Sequence, residues 1–579
     1  MNFKRTRGIT LIALVITIIV LLVLAGVALN SISGNNGILK NAEDAVGKYN
    51  GKAQQEQDLL NQYSNAIEEQ ENLEYWDGEV NKPNIKEGMI PVKWNGTEWV
   101  KADVTNAGHD WYNYNETDKK WANVVTVKEN GTQTREYYKN AGINTTINMD
   151  DITTMFVWIP RYAYKITSGY HSNVDGTGNI EIEWLMGKTN KPATSQPIVE
   201  YNETTTEDYT KFPDGYVIHP AFTANTEMGG TGEEISGFWV GKFESSNYQM
   251  SEEHKNNEGL SNDSASNLLY GIGDGANVTI KPNVTSWRAI TVPNIYNVCQ
   301  NMTKENNIHG LGKDTVTVMM QNSQWGAVAY LSQSKYGNKQ TTEEDSGIWN
   351  NSYNEGFTKP STGEEYKLAV YATNMTGMAG SARDDWTSYY AQVIANSKTE
   401  NTANGTVTML FNYPNEVDSN GNTKVYTKTY YRYNTEIGQR ASTTRNIYGV
   451  YDMSGGAWEY MASYLKDVQK TDSEYNYDYV KLMNDLKSKY TTGYLGASSN
   501  RTENYKTNTH MYGDGVWETS NGGEGQSSWN KDSSNFPYLV YPFFERGGYF
   551  SCSGNAGVFC FFRDYGGTGN DFGFRSVAI

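Results

Sequence analysis

Asn446-Ile447-Tyr448-Gly449-Val450-Tyr451-Asp452-Met453-Ser454-Gly455-Gly456-Ala457-Trp458-Glu459-Tyr460 is the stretch around which the rest of the chain is read. Ahead of it, Phe156-Val157-Trp158-Ile159-Pro160 reads as an opening strand. Gly237-Phe238-Trp239-Val240-Gly241-Lys242-Phe243-Glu244 reads as a second strand, apolar or aromatic up to its Lys and Glu. Ser286-Trp287 opens an apolar-periodic helix through Ile290, Ile295 and Val298. The run from Asn322 through Trp325 to Leu331 reads as a further helix, with Asn322 as its N-cap. Behind the central stretch, Arg546-Gly547-Gly548 and Gly573-Phe574-Arg575 bracket the last segment.

The chain has 579 residues, several times the length of a typical domain, so a sizeable core is available. Its 66 Asp and Glu against 48 Lys and Arg leave a formal net charge of -18. That balance argues against nucleic acid as a partner, because phosphate-binding surfaces cluster Lys and Arg. Aromatics are 13% of residues, with 43 Tyr and 15 Trp, which excludes a disordered chain. The 56 Gly, the short polar-aromatic stretches and the scarcity of long apolar helical runs point to a β-rich, surface-exposed protein. Three cysteines exclude a disulfide scaffold, and six histidines without a His-x-x-x-His spacing argue against a zinc enzyme.

Residues 9–29 carry no charge, and about 20 apolar helical residues match the hydrocarbon thickness of a bilayer. Lys4, Arg5 and Arg7 precede them, which holds residues 1–8 in the cytoplasm and sends the remainder outside. A secretory signal peptide would have a shorter apolar region. Arg7-Gly8-Ile9-Thr10-Leu11-Ile12 resembles the processing site of type IV prepilins and type II secretion pseudopilins. The resemblance implies cleavage after Gly8 by a prepilin peptidase and methylation of Ile9, with an uncleaved signal anchor as the alternative. Ala13 stands where that family usually has a Glu used in filament assembly, which favours anchoring over assembly. Beyond it, Leu39, Ala42, Val46, Tyr49, Ala53, Leu60, Tyr63 and Ile67 keep a helical apolar period, so 9–72 is read as a transmembrane and stem helix.

Residues 73–150 read as a β-rich spacer. Residues 92–94 and Trp99–Lys101 flank Asn95-Gly96-Thr97-Glu98, a hairpin signal with an Asn-Gly turn. Trp94, Trp99, Trp111 and Trp121 can form a sugar-binding stripe or the core of a sheet short of aliphatics, and the core reading is preferred. Gly271-x-Gly273-x-Gly275 lacks the strand and helix of a dinucleotide site. Asp418-Ser419-Asn420-Gly421 lacks the bidentate Glu of an EF-hand and reads as a turn.

Taken in order, the stretches quoted at the outset resemble the formylglycine-generating enzyme (sulfatase-modifying factor) family over roughly residues 150–579. The resemblance implies a mixed α+β fold: a variant of the C-type lectin domain over 151–579, behind the pilin-like helix and the spacer, with 166–236 and 340–440 as insertions. It also implies a structural calcium held by Asp452, Gly455, Ala457 and Glu459, two hard carboxylates and two carbonyls. The sugar-binding triplets of calcium-dependent lectins are absent. The enzymes of this family hold copper(I) between two thiolates, which are soft ligands for a soft metal. Cys552 fits the first position, but position 557 is Gly, Cys560 is displaced, and Tyr549 replaces a pocket Ser. A copper-dependent oxidase using Cys552 and Cys560 is therefore the second reading.

The final segment, 546–579, is similar to the variable region of proteins diversified by retroelements, which use the same lectin-like fold. Template adenines are mutated there, and an Asn codon ending in a pyrimidine never becomes Lys, Glu, Gln, Met or Trp. Residues 547–575 contain none of these. Phe559 and Phe561 are expected to point inward at period two. Tyr549, Phe550, Ser551, Cys552, Cys560, Phe562, Arg563, Asp564, Tyr565, Thr568, Asn570 and Asp571 are expected on an exposed ligand face. A Cys552–Cys560 bridge fits the spacing, with Cys299 buried in its helix. The expectation is a membrane-anchored protein whose external carboxy-terminal domain binds an outside protein or glycan ligand; a minor pilus or secretion subunit is a third reading.

Overall fold

The computed structural model describes residues 15–20, 38–105, 110–172, 178–201, 209–248, 277–288, 290–339, 347–353, 374–380, 392–394, 397–469, 474–486, 488–569 and 571–579. The chain divides into two compact units, residues 1–70 and 71–579. Gly8, Ile9, Ala13 and the Gly271–Gly275 motif lie outside the described residues, as does all of 9–29 except 15–20, which are helical and exposed. Among the described residues no helix is long and apolar enough to cross a membrane. The expected stem forms one helix, Ile38–Tyr75. It runs through Gly47 and Gly51 in spite of their poor propensity, with Gln54 donating to Asp58 and Gln57 to Asn61 one turn on.

The larger unit is mixed α+β. Its first sheet has seven strands, in the order Thr317–Met319, Ser576–Ala578, Gly237–Gly241, Ile152–Pro160, Asn123–Val127, Ile90–Trp94 and Trp99–Lys101. The strand nearest the carboxy terminus is thus inserted in the interior of the sheet, between Thr317–Met319 and Gly237–Gly241. A second sheet is built on Trp458–Leu465. Phe543–Gly547 pairs antiparallel along one side of it and Gly557–Asp564 follows, while Phe572–Phe574 and Thr492–Tyr494 both pair parallel with it. Strands Tyr162–Ser168, Asn179–Trp184 and Val217–Ile218 make a third, smaller sheet.

The expected hairpin forms: Trp94 pairs with Trp99, Asn95 Oδ1 accepts from the amides of Thr97 and Glu98, and Gly96 takes a φ of 106°. Asp418 likewise makes a turn, its carboxylate accepting from the Asn420 and Asn422 amides between strands Thr406–Val417 and Thr423–Arg432. That hairpin packs a core of its own, from Tyr353, Met378, Val407, Met409, Phe411 and Tyr430.

Three expectations are corrected. Residues 73–150 are not a separate spacer, because Asn123–Val127 pairs with Ile152–Pro160 and Trp111 stacks on Trp239 with centroids 6.5 Å apart. The helix expected from Ser286 begins at Val292, with Thr291 as N-cap and Pro293 in its first turn. The amides of Ser286 and Trp287 are instead committed to the carbonyls of Asn374 and Ser245. In the next helix, Asn322–Ser332, the cap is Gln321, whose amide donates to Gln324 Oε1 at 3.0 Å.

Trp99, Trp121, Trp158, Trp239, Trp287, Trp325 and Trp529 are all fully buried in the main core. Their indole N–H groups need acceptors there. Trp158 donates to Asn81 O, Trp239 to Asn84 O and Trp325 to Val558 O. The Trp99, Trp111 and Trp121 rings are core, and Trp94 is half-buried at a groove of 780 Å³ shared with Glu98, Tyr137 and Tyr433. A fragment beginning at residue 151 leaves Ile152–Pro160 with an open edge and strips Trp111 from Trp239. It is expected to lack the cooperative thermal transition that a 71–579 fragment keeps, as differential scanning calorimetry would record.

Candidate functional site

The final segment hangs from two arginines with no exposed surface. Arg546 donates through Nε to Cys560 O at 2.8 Å, through Nη1 to Asp514 O at 2.8 Å and through Nη2 to Gly515 O at 3.1 Å, and it lies 5.6 Å over the Trp325 ring. Gly547 and Gly548 follow at φ of 84° and 77°, and a Cβ on Gly548 would meet Ala556 at 2.7 Å. Only glycine allows both the turn and this approach.

Arg575 stands where the chain passes from the second sheet to the first. It forms a two-pronged ion pair with Glu459, at 2.5 and 2.9 Å, with both side chains wholly buried. Its Nη1 donates to Gly241 O at 2.8 Å and its Nη2 to Tyr451 O at 2.9 Å. Glu244, which the sequence reading did not place here, accepts from the Ala457 amide at 2.8 Å. Asp452 adopts a φ of 62° and accepts from Asn351 Nδ2 at 2.9 Å and from the Gly377 amide at 3.0 Å. Burial raises all three carboxyls, Glu459 to about 7, and Arg575 pulls Glu459 and Asp452 the other way.

These residues do not fit the calcium site that the resemblance implies. Asp452, Gly455, Ala457 and Glu459 are brought close, but Glu459 gives both oxygens to Arg575 and Asp452 is bonded by protein donors.

The expected ligand residues divide by depth. Cys560 is fully buried, because the strand Gly557–Asp564 is covered on both sides along its first five residues, and Asp564, at its end, is 9% exposed and turned to the Tyr460 hydroxyl, so neither belongs to an open face. Phe559 and Phe561 are buried as expected. Tyr549, Phe550, Ser551, Cys552, Phe562, Arg563, Tyr565, Thr568 and Asp571 are partly exposed, and Asn570 lies outside the described residues.

Phe562 stacks on Trp458 at 4.7 Å, Tyr549 lies over Trp458 at 6.2 Å, and Phe550 meets Tyr549 edge-on at 5.2 Å. The Arg563 guanidinium sits 5.2 Å from both the Tyr538 and Tyr541 rings. Asp564 accepts from the Tyr460 hydroxyl at 2.6 Å, and burial lifts its carboxyl to about 6. Trp458, Tyr460, Tyr538, Tyr541 and Glu545 were missed by sequence reasoning. The alternation of Trp458 and Tyr460 about Glu459 is the signal that would have found the first two.

Cys299, Cys552 and Cys560 form no disulfide, so the bridge that spacing allowed is not made. Burial pushes the Cys552 thiol up to about 12. Copper(I) needs thiolates, so this environment does not favour binding there.

No protein-family model matches the chain, and no curated protein matches it.

Removing one partner of the buried pair strands the other charge. Arg575→Ala is expected to cost about 3–5 kcal/mol in denaturant unfolding, and the double change Glu459→Leu with Arg575→Met to cost less. Asp564 has a folded pKa above its ordinary 3.8, so its protonated form stabilises at low pH and that contribution is lost as pH rises through about 6. Relative to Asp564→Asn, the wild type is expected to lose about 3 kcal/mol between acid and neutral pH, read from unfolding midpoints.

Proposed function

We propose that this chain is a cell-surface display protein that binds an outside ligand, a protein or a glycan, through the partly exposed residues of its final segment. In this reading residues 9–29 anchor it in the membrane after prepilin-type processing between Gly8 and Ile9, and the helix 38–75 is its stem. The binding unit is a lectin-like domain of the formylglycine-generating-enzyme type, with a segment diversified by a retroelement.

The observation that carries the reading is the division of labour within residues 546–575. Arg546, Gly547, Gly548, Phe559, Phe561 and Arg575 are buried and fixed by many contacts, while Tyr549, Phe550, Ser551, Phe562 and Arg563 lie between them with partial exposure. Aromatic and Arg side chains on a rigid sheet suit recognition, since little conformational entropy is lost on binding. An oxidase would need the Cys552 thiolate, which burial disfavours.

Sequencing of the gene's 3′ end across sibling isolates tests the reading. Differences are expected at 549–552, 562, 563, 565 and 568, wherever a nearby near-copy has adenine, with Arg546, Phe559 and Arg575 constant. Invariant bases with no copy nearby would exclude diversification and leave a fixed binder to be tested.

A further inference from the structure

Glu545, immediately ahead of the final segment, is the least explained charged group beside it. It sits on Phe543–Gly547 opposite Tyr460 on one neighbouring strand and Phe562 on the other, so its side chain shares their face of the sheet. It has no exposed surface, and neither of its carboxylate oxygens meets a hydrogen-bond partner among the described residues. Buried carboxylates without partners are costly and uncommon, and such a group is more readily explained as half of an interaction.

Two further carboxyls act on it. Asp564 comes from the end of the adjacent strand and Asp571 from just ahead of Phe572–Phe574, and each repels the charge of Glu545. Tyr460 donates its hydroxyl to Asp564, and Cys552 lies within the field of Glu545 and Asp571. Arg563, which lies over Tyr538 and Tyr541, partly offsets that repulsion at Glu545, while Arg288 acts on Asp571 and on the buried Glu244. Ser551 Oγ is another buried atom without a partner among the described residues.

Rings share this face and its rim. Phe562 and Tyr549 both stack on Trp458, Phe550 meets Tyr549 edge-on, and Phe572 meets Tyr460 edge-on at 5.3 Å. Carboxylates beside aromatic faces attract an organic cation, whose charge the acids meet and whose apolar stem the rings cover.

We propose that Glu545, Asp564 and Asp571, beside Trp458, Tyr549 and Phe562, form a pocket for the protonated side chain of an arginine or lysine on a protein ligand. This inference rests on the final segment being a binding face, and it names the chemistry of what that face takes. The route inward passes the partly exposed Ser551, Cys552 and Asp571.

The test uses the full chain and two small probes in isothermal titration calorimetry, Nα-acetyl-arginine amide and its neutral counterpart Nα-acetyl-citrulline amide. The arginine probe is expected to bind saturably, at least about tenfold more tightly than the citrulline probe. Glu545→Gln keeps the shape and removes the charge, and it is expected to abolish that preference without lowering the melting temperature. Asp571→Asn, at a partly exposed position, supplies a second variant and is expected to weaken the preference.

Equal binding of the two probes, absence of saturable arginine binding, or an unchanged preference in both folded variants would overturn the proposal. Failure of the wider reading looks different. If the gene ends vary at template adenines while the charged probe is ignored, the binding face stands and only the cation pocket falls.

Discussion

The ion pair between Glu459 and Arg575 is the constraint on which the rest of the larger unit depends. Arg575 lies in the single residue between Phe572–Phe574, which pairs in the second sheet, and Ser576–Ala578, which pairs in the first. Its guanidinium bonds Gly241 O in the first sheet, Glu459 in the second and Tyr451 O in the central stretch. Three parts of the chain that are distant in sequence are thereby set in one geometry. A charge with this many fixed partners is expensive to bury and yet sharply directional, which suits a joint more than a store of stability.

The same logic explains the aromatic-rich, aliphatic-poor composition. Rings fill the core, and many bring a polar tip that is satisfied at a distance, as when Tyr164 and Tyr330 both donate to the buried Glu518. Burial lifts that carboxyl to about 8 even though Tyr330, Gly513 and Tyr164 stabilise its charge. Packing of this kind fixes orientation as well as volume, so a surface laid over it stays in place when its own side chains change.

What the sequence made legible was local. Strands 156–160 and 237–241 and the Asn95 turn follow from side-chain type and turn chemistry within a few residues. The false domain boundary at 150 has a non-local cause: the strand Asn123–Val127 finds its place only beside Ile152–Pro160, and that strand in turn pairs with Gly237–Gly241. The helix expected from Ser286 failed because the Trp287 amide was claimed by Ser245, a contact that no periodicity encodes. Period-two reasoning placed Cys560 outside, whereas the first five residues of its strand are buried on both faces, as Val558 through Phe561 show. Glu545 was overlooked for the same reason, being one polar residue in a strand with no solvent side.

The placement of Ser576–Ala578 between Thr317–Met319 and Gly237–Gly241 has a bearing on synthesis. A nascent chain has to hold the first sheet incomplete, with two edges waiting, until residues translated long after their neighbours leave the ribosome. A chain cut short before Ser576 leaves Gly237–Gly241 and Thr317–Met319 with unpaired edges, and open edges invite proteolysis and pairing with other chains. The first sheet is thus a late-closing one, whose interior place is filled only once residues 576–578 have been made.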